Sequence, residues 1–283
     1  MTVGKAVSES DIRDFWNTHP CGAEMIPTDF RADAEEFFRR YDAHRYRVEP
    51  HILECLDKTD WRGKEVLEIG LGQGADSEQL IRRGACWNGL DLTPEAVQRV
   101  TARMRLRDLP HGDIRQGSIL NPPYESGRFD IIYSHGVLHH VPDIRSASAQ
   151  IAQLLKPTGE LIVMMYARWS LHYLVSISLY YRLLITTAYL LRKEGGTSSR
   201  QFPYIRQMGL LRYLRMRNFL HHNTDFAENP YTKVYDVRAL REDFPEFDVV
   251  RSYKRYLTCE PLPLSGRGNL LGWHLWAHLR PRC

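Results

Sequence analysis

The chain has 283 residues, of which 43% are hydrophobic and 25% charged, with a formal net charge of +4. Those values fit an ordinary soluble globular protein with one core plus additions, and a charge that small gives no reason to expect a nucleic-acid partner. The five cysteines (Cys21, Cys55, Cys86, Cys259 and Cys283) are scattered without a C-x-x-C pair, which excludes a zinc site of that kind and a disulfide framework.

Residues 1–60 read as helical and form the expected N-terminal lid, with Arg45 and Tyr46 either folding over a site or packing as plain helix residues. The start, Met1-Thr2-Val3-Gly4-Lys5, leads into polar residues rather than an apolar signal segment, so a reducing, cytoplasmic setting is expected. Residues 61–167 alternate strand and helix, the pattern of a parallel sheet. Within them Val66-Leu67-Glu68-Ile69-Gly70-Leu71-Gly72-Gln73-Gly74-Ala75-Asp76 reads as a short apolar strand, a glycine turn and a helix. Gly89-Leu90-Asp91-Leu92-Thr93-Pro94 reads as a second strand, ending in a carboxylate and followed by a helix-opening proline. Glycines let the backbone come close to a ligand, and an acid about twenty residues downstream accepts hydrogen bonds from ribose hydroxyls. Together the two segments describe a site for an adenosine-containing cofactor.

Gly70-x-Gly72-x-x-Ala75 alone also fits a dinucleotide turn, and a nicotinamide-dependent oxidoreductase is the rival from another class. Glu68 stands against it, because a carboxylate at the strand's end repels a pyrophosphate but orients an ammonium group. At this point the chain resembles the class I S-adenosylmethionine-dependent methyltransferases, whose first motif is E-x-G-x-G-x-G. Arg128–Asp143 resembles that family's fourth strand and following loop, and Leu154–Val163 its next helix, turn and fifth strand; the four segments keep the family's order. The resemblance implies an α/β fold: a Rossmann-like doubly wound sheet of about seven strands with an antiparallel last strand, a helical N-terminal lid and a helical insertion after strand 5. It implies S-adenosylmethionine as cofactor, with Glu68, Gly70, Gly72 and Gly74 holding the methionine portion and Asp91 with Leu92 the ribose. Ser134 and His135 would line the far side of the donor. The family often has Gly-Asp after its third strand, the acid reaching the adenine amino group. Here the pair is Gly117-Ser118, which leaves adenine to the Ser118 hydroxyl or the Ile119 backbone.

Methyl transfer from a sulfonium needs alignment and exclusion of water, and a base only where the acceptor must lose a proton. Ligands of open α/β sheets sit at the carboxyl ends of the strands, which brings forward His135, His139 and His140. As neighbours, His139 and His140 point different ways, so one of them faces the acceptor and the reading favours His139. Packing or capping of the next helix is the competing role. Neither this pair nor His221-His222 makes a metal site without a third ligand. Tyr231 and Tyr235 could face the acceptor or merely mark a turn and helix start. Asn121-Pro122-Pro123-Tyr124 copies the tetrapeptide of amide and adenine methyltransferases, but it precedes the fourth strand and so reads as a rigid turn.

Residues 168–230 interrupt the alternation as a helical insertion and substrate cap. Leu171–Leu191 holds fifteen apolar or tyrosine residues in twenty-one, yet its six polar residues fall in one half of a helical wheel. That segregation argues for an amphipathic helix covering the site or lying on a membrane surface rather than spanning it. Arg192, Lys193, Arg200, Arg206, Arg212, Arg215 and Arg217 follow, opposed by Glu194, as a solvated face or as peripheral contact with anionic lipid through 171–217. Residues 231–283 return to the alternation, with a helix capped by Asp236, a strand near Phe247–Tyr253 and a last strand near Leu271–His278 that completes the sheet. The expected activity is methyl transfer to oxygen or nitrogen of a small or medium-sized organic acceptor. A quinone or lipid-linked precursor at a membrane surface and a non-methylating enzyme on the same fold are its rivals.

Overall fold

Apolar residues at consecutive rather than alternate positions mark strands covered on both faces, and the central strands here are of that kind. The computed structural model describes residues 7–193, 195, 197–262, 264–266, 268 and 270–282; the start read for a signal segment, Glu194 and Cys283 lie outside them. Strands β1 (Glu65–Ile69), β2 (Cys86–Asp91), β3 (Ile114–Gln116), β4 (Phe129–His135) and β5 (Leu155–Tyr166) are parallel, followed by β6 (Phe247–Arg255) and β9 (His274–Pro281). Their order across the sheet is β3-β2-β1-β4-β5-β9-β6, and β9 runs antiparallel to both of its neighbours. A hairpin of β7 (Leu257–Cys259) and β8 (Leu264–Gly266) stands apart. The doubly wound sheet of seven strands with an antiparallel last strand is therefore present as expected.

Helices α1 (Glu9–Thr18), α2 (Ala34–Val48) and α3 (His51–Leu56) precede the sheet. Ser8 and Asp11 close a reciprocal cap at the start of α1, a device that contributes about 1 kcal/mol. Helices α4 (Ala75–Arg82), α5 (Pro94–Leu106) and α6 (Ile144–Leu154) link the parallel strands. Thr93 caps α5 through Ala96 N, with Pro94 at the first helical position, where its missing N–H costs nothing. One core layer packs Leu67, Ile132, Val163 and Ala277 with α6, and the opposite layer packs Val66, Trp87, Tyr133 and Trp276 with α4 and α5. The Asn121–Tyr124 turn sits between β3 and β4 away from the cavity, with the Tyr124 hydroxyl donating to Gly89 O at 3.0 Å.

Between β5 and β6 the chain forms π-helical turns over His172–Tyr181, continued by α7 (Arg182–Leu190), then α8 (Phe202–Met208), α9 (Leu210–Tyr213) and α10 (Met216–His221). Helix α11 (Val237–Asp243) is capped by Asp236 as its sequence suggests. The insertion has its own core of Ile177, Ile185, Phe202, Ile205, Tyr213 and Phe219. The polar residues of the 171–191 helix mostly face this protein interior: Ser176 is buried and accepts from Glu260 N at 2.7 Å, and Arg182 donates to Leu214 O. Leu174, Leu179, Leu183, Leu184, Leu190 and Leu191 face outward. The covered face thus mixes Ser176 with Ile177 and Ile185, and over the π-helical turns at His172–Tyr181 the 100° spacing of a wheel does not hold. No described residue of 168–230 lines the cavity at the strand ends. No helix of the described residues is long and apolar enough to cross a membrane.

Candidate active site

The carboxyl ends of β1, β2 and β4 open onto one cavity, the place where strand order reverses and loops part. The turn after β1 is built on left-handed backbone, with φ of 81° at Gly70, 53° at Gly72 and 75° at Gly74. Gly70 and Gly72 line the cavity, while Gly74 sits behind them as the N-cap of α4. A side chain at Gly70 would run into Val137, whereas one at Gly72 would meet nothing within 4 Å.

Asp91 reaches across from the tip of β2 and accepts from Leu71 N at 2.7 Å and from both Thr93 N and Thr93 Oγ1 at 2.8 Å. Burial raises its carboxyl and these donors oppose the shift. The acid and the glycine turn thus meet on the cavity wall, with Leu92 beside them. At the other end of the cavity stand two acids. Glu68 is buried, accepts from Trp87 Nε1 at 2.8 Å, and is pushed up to about 8 by burial and then by neighbouring Asp76. Although burial opposes it, the Asp76 carboxyl is lowered, because Arg45 pairs with it at 3.0 Å, His135 Nδ1 lies at 3.1 Å and the Tyr133 hydroxyl donates at 2.9 Å. An ammonium and a carboxylate carried on one carbon need both signs within a few ångströms, and Arg45 beside Asp76 and Glu68 supplies them. The donor set fits an adenosyl amino-acid cofactor at both ends.

Other expected residues fall elsewhere. Ser134 is fully buried and its hydroxyl donates to Ile69 O at 3.0 Å, so it braces β1 against β4 without lining the cavity. Ile119 and Gly117 line the cavity, but Ser118 does not: its hydroxyl bonds the Glu9 carboxylate and accepts from Leu120 N at 2.9 Å. His135 lines the cavity and is tied to Asp76.

The preference for His139 does not survive the geometry. Its ring is completely buried, tilted at 42° against Tyr166 with centroids 4.0 Å apart, with neither nitrogen hydrogen-bonded, and burial pushes it well below the usual histidine range. His140 is the neighbour that lines the cavity. Its Nδ1 lies 2.8 Å from the Tyr231 carbonyl, so that nitrogen carries the proton and Nε2 is left as an unpaired acceptor. Asp225 from the insertion approaches Nε2 at 3.6 Å and is itself held by the Tyr166 hydroxyl at 2.5 Å and Asn229 Nδ2 at 3.0 Å. Tyr231 contributes its carbonyl, not its ring, and Tyr235 is buried with its hydroxyl on Asp243 at 2.9 Å, away from the cavity.

Helix α1 and the turn after it complete the enclosure. Glu9, Ile12, Trp16, Pro20 and Cys21 line the cavity, and the Trp16 ring meets His140 edge-on at 5.0 Å. Cys21 is reached by solvent but lies deep among protein atoms, which pushes its thiol up to about 12. Gln73 donates to Cys21 O at 3.2 Å and so ties the glycine turn to the segment after α1. Asp76, Gln73, Trp16 and Asp225 had no assigned role in the sequence reading. Asp76 alone carried a local signal, as an acid in the first turn of the helix behind the glycines.

The fold and this site are those of the enzymes that bind S-adenosylmethionine at the ends of a parallel sheet. Residues 67–163 match the family described as "Methyltransferase domain". The "Ubiquinone biosynthesis O-methyltransferase" of Aromatoleum aromaticum is 28% identical over 200 residues, covering 68% of this chain and 80% of that protein. The protein of the same name from Xanthomonas oryzae pv. oryzae is 33% identical over 155 residues, 52% of this chain and 64% of its own length. In fold the chain is similar to a methyltransferase of Thermotoga maritima described as a possible histamine N-methyltransferase (TM-score 0.53, 16% identity, covering 89% of this chain and 98% of that one). It is similar also to an S-adenosylmethionine-dependent methyltransferase of Mesorhizobium loti (TM-score 0.52, 15% identity, 82% and 97%). Residues 67–163 thus form a methyltransferase domain, and the chain is similar to the S-adenosylmethionine-dependent methyltransferases. It is a methyltransferase with S-adenosylmethionine as its cofactor, and the nicotinamide alternative is not favoured.

Proposed function

We propose that the chain methylates a ring hydroxyl of a small, largely apolar acceptor, with His140 as the general base. The observation that carries this reading is His140, which lines the cavity beside Ile12, Trp16, Val137 and Val141 and whose buried Nε2 accepts no hydrogen bond and faces Asp225 at 3.6 Å. When bound, the cofactor supplies an activated methyl group on a sulfonium. Glu68, Asp76 and Arg45 orient its amino-acid end, Gly70, Gly72 and Asp91 seat the sugar, and Trp16 with the rest of α1 excludes water. His140 Nε2 takes the hydroxyl proton, and the Asp225 carboxylate offsets the positive charge that then appears on the ring. Relatives named for ubiquinone biosynthesis O-methylation support oxygen rather than nitrogen as the methylated atom. The test incubates the protein with S-adenosylmethionine and a panel of catechols, monophenols and aromatic amines, following S-adenosylhomocysteine release. Turnover of catechols above amines is expected; turnover of amines alone overturns the reading.

A second reading adds peripheral membrane contact, and the outward leucines favour it. Leu179, Leu183 and Leu190 are each about two-thirds exposed or more, and Arg212, Arg215 and Arg217 are exposed nearby in sequence without a carboxylate partner among the described residues. Apolar side chains beside free cations suit an anionic lipid interface. Flotation with vesicles containing one-third phosphatidylglycerol should carry the protein upward at low salt, and Leu179→Lys with Leu183→Lys should leave it below; a wild-type protein that never floats refutes the contact.

A further inference from the structure

The chain lacks the acid its family often places after the third strand, having Gly117-Ser118 there. We propose that Glu9, from helix α1, supplies that acid and reads the amino group of the cofactor's adenine. This rests on the cofactor assignment above.

Glu9 lines the cavity beside Leu92, Gly117 and Ile119, at the end away from Glu68 and Asp76. Ser118 does not reach the cavity; its hydroxyl is a donor to the Glu9 carboxylate, so the residue replacing the family's acid holds another acid in place. The other acids on that wall are already occupied. Asp91 has the turn amides and Thr93, and Glu95 is paired with Arg99 at 2.8 Å. Glu9 has no cationic partner among the described residues, and Ser118 occupies one of its two oxygens. Its position is set by the Ser8–Asp11 cap at the helix start and by Asn17 Oδ1, which accepts from Glu95 N at 3.4 Å and anchors α1 on α5.

A carboxylate only accepts hydrogen bonds. It pairs with the exocyclic N–H of a 6-aminopurine and repels the carbonyl oxygen of a 6-oxopurine. A hydrogen bond to a charged group changes affinity by roughly 10–100-fold when it is lost. Glutamine in its place can turn its amide either way, accepting from the amine or donating to the carbonyl, so Glu9→Gln should bind both purines comparably.

The experiment is calorimetric titration of the full chain with S-adenosylhomocysteine and with its 6-oxo counterpart, S-inosylhomocysteine, for the wild type, Glu9→Gln and Ser118→Ala. The wild type should prefer the 6-amino ligand by roughly 10–100-fold, Glu9→Gln should bring the ratio to within about threefold of one, and Ser118→Ala should keep most of the preference. A wild-type ratio in Glu9→Gln overturns the proposal, as does a preference abolished by Ser118→Ala but untouched by Glu9→Gln. If the wild type binds neither ligand, the cofactor assignment itself fails, an outcome distinguishable from the other two.

Discussion

Replacing Gly70 and Gly72 separately by alanine should divide two roles that the glycine pattern merges. Both have left-handed backbone, φ 81° and 53°, which costs an L-residue roughly 1–2 kcal/mol. At Gly70 the new methyl would stand 2.2 Å from Val137 Cγ2, 2.8 Å from Cγ1 and 2.9 Å from Cβ. A branched side chain has no single rotation that clears all three contacts, so an overpacking cost of about 1–3 kcal/mol adds to the strain. Gly70→Ala should therefore lose roughly 2–5 kcal/mol, which for a chain of this size is about 3–8 °C in Tm. At Gly72 the methyl meets nothing within 4 Å and projects into the space the ligand needs. Gly72→Ala should lose only the strain, roughly 1–2 kcal/mol, while weakening S-adenosylhomocysteine binding tenfold or more. Thermal unfolding followed by near-ultraviolet circular dichroism, beside calorimetry of the same proteins, separates the two effects. Adding Val137→Ala to Gly70→Ala should recover the overpacking part and leave the strain. Equal loss of Tm in both single variants, or no recovery with Val137→Ala, would refute the reasoning.

Glu68 gives a pH prediction. Its folded carboxyl, raised from 4.5 to about 8, keeps a proton that the unfolded chain gives up, so stability should fall as pH rises from about 4.5 to about 8, by at most about 1.4 kcal/mol per unit. Asp76 is shifted the opposite way and loses its contribution only in acid, outside that window. Glu68→Gln should flatten the urea-midpoint profile; an unchanged slope sinks the idea. Calorimetry in two buffers of different ionisation enthalpy should also find proton release when S-adenosylhomocysteine binds at pH 7, absent in Glu68→Gln. For the neighbouring histidines, His140→Gln should lower kcat about 10²–10⁴-fold, whereas His139→Leu, which removes two unpaired buried nitrogens, should keep both activity and Tm. Activity lost in His139→Leu and kept in His140→Gln would reverse the assignment. Asp225→Asn should lower kcat with KM little changed, since the carboxylate that offsets the charge appearing on the ring is gone; an unchanged kcat makes Asp225 structural only. His139 and His221 also face that ring, but burial lowers both, and the Tyr166 and Cys21 groups nearby are raised, so all four stay neutral across the assay range.

The cofactor half of the site was readable because its parts are close in sequence. The strand, turn and helix of residues 66–76 and the strand tip at Asp91 carry their meaning in local pattern, and the 2.7 Å contact from Leu71 N to Asp91 joins them across only 20 residues. The acceptor half was not readable in that way. His140 acquires its proton position from a carbonyl 91 residues away, and its charge partner comes from the insertion. Nothing within the short turn at 138–140 says which of two adjacent rings turns outward; that is decided by Tyr166 filling the space around His139. Asp76 stood in plain view beside the glycines, yet its role depends on Arg45, 31 residues earlier, and on the ends of β4. The 171–191 helix shows another limit, because the 100° spacing of a wheel does not hold over its π-helical turns.

Helix α1 binds these halves together. It brings Glu9 to the adenine end and Trp16 to His140, and it is held by the cap at Ser8, the Ser118–Glu9 and Asn17–Glu95 hydrogen bonds, the Trp16–His140 ring contact and the aromatic group of Phe15, His19 and Phe226. A helix of ten residues has little stability of its own, so what orders it is contact with the rest of the site. Ligands that bind only the closed form must then stabilise it by mass action. Amide exchange over residues 9–18 should slow when S-adenosylhomocysteine is added, and less so in Glu9→Gln, where the link to the adenine is weakened. Equal protection of α1 with and without ligand would show a fixed wall rather than a closing one, and would leave the acceptor to enter by another face.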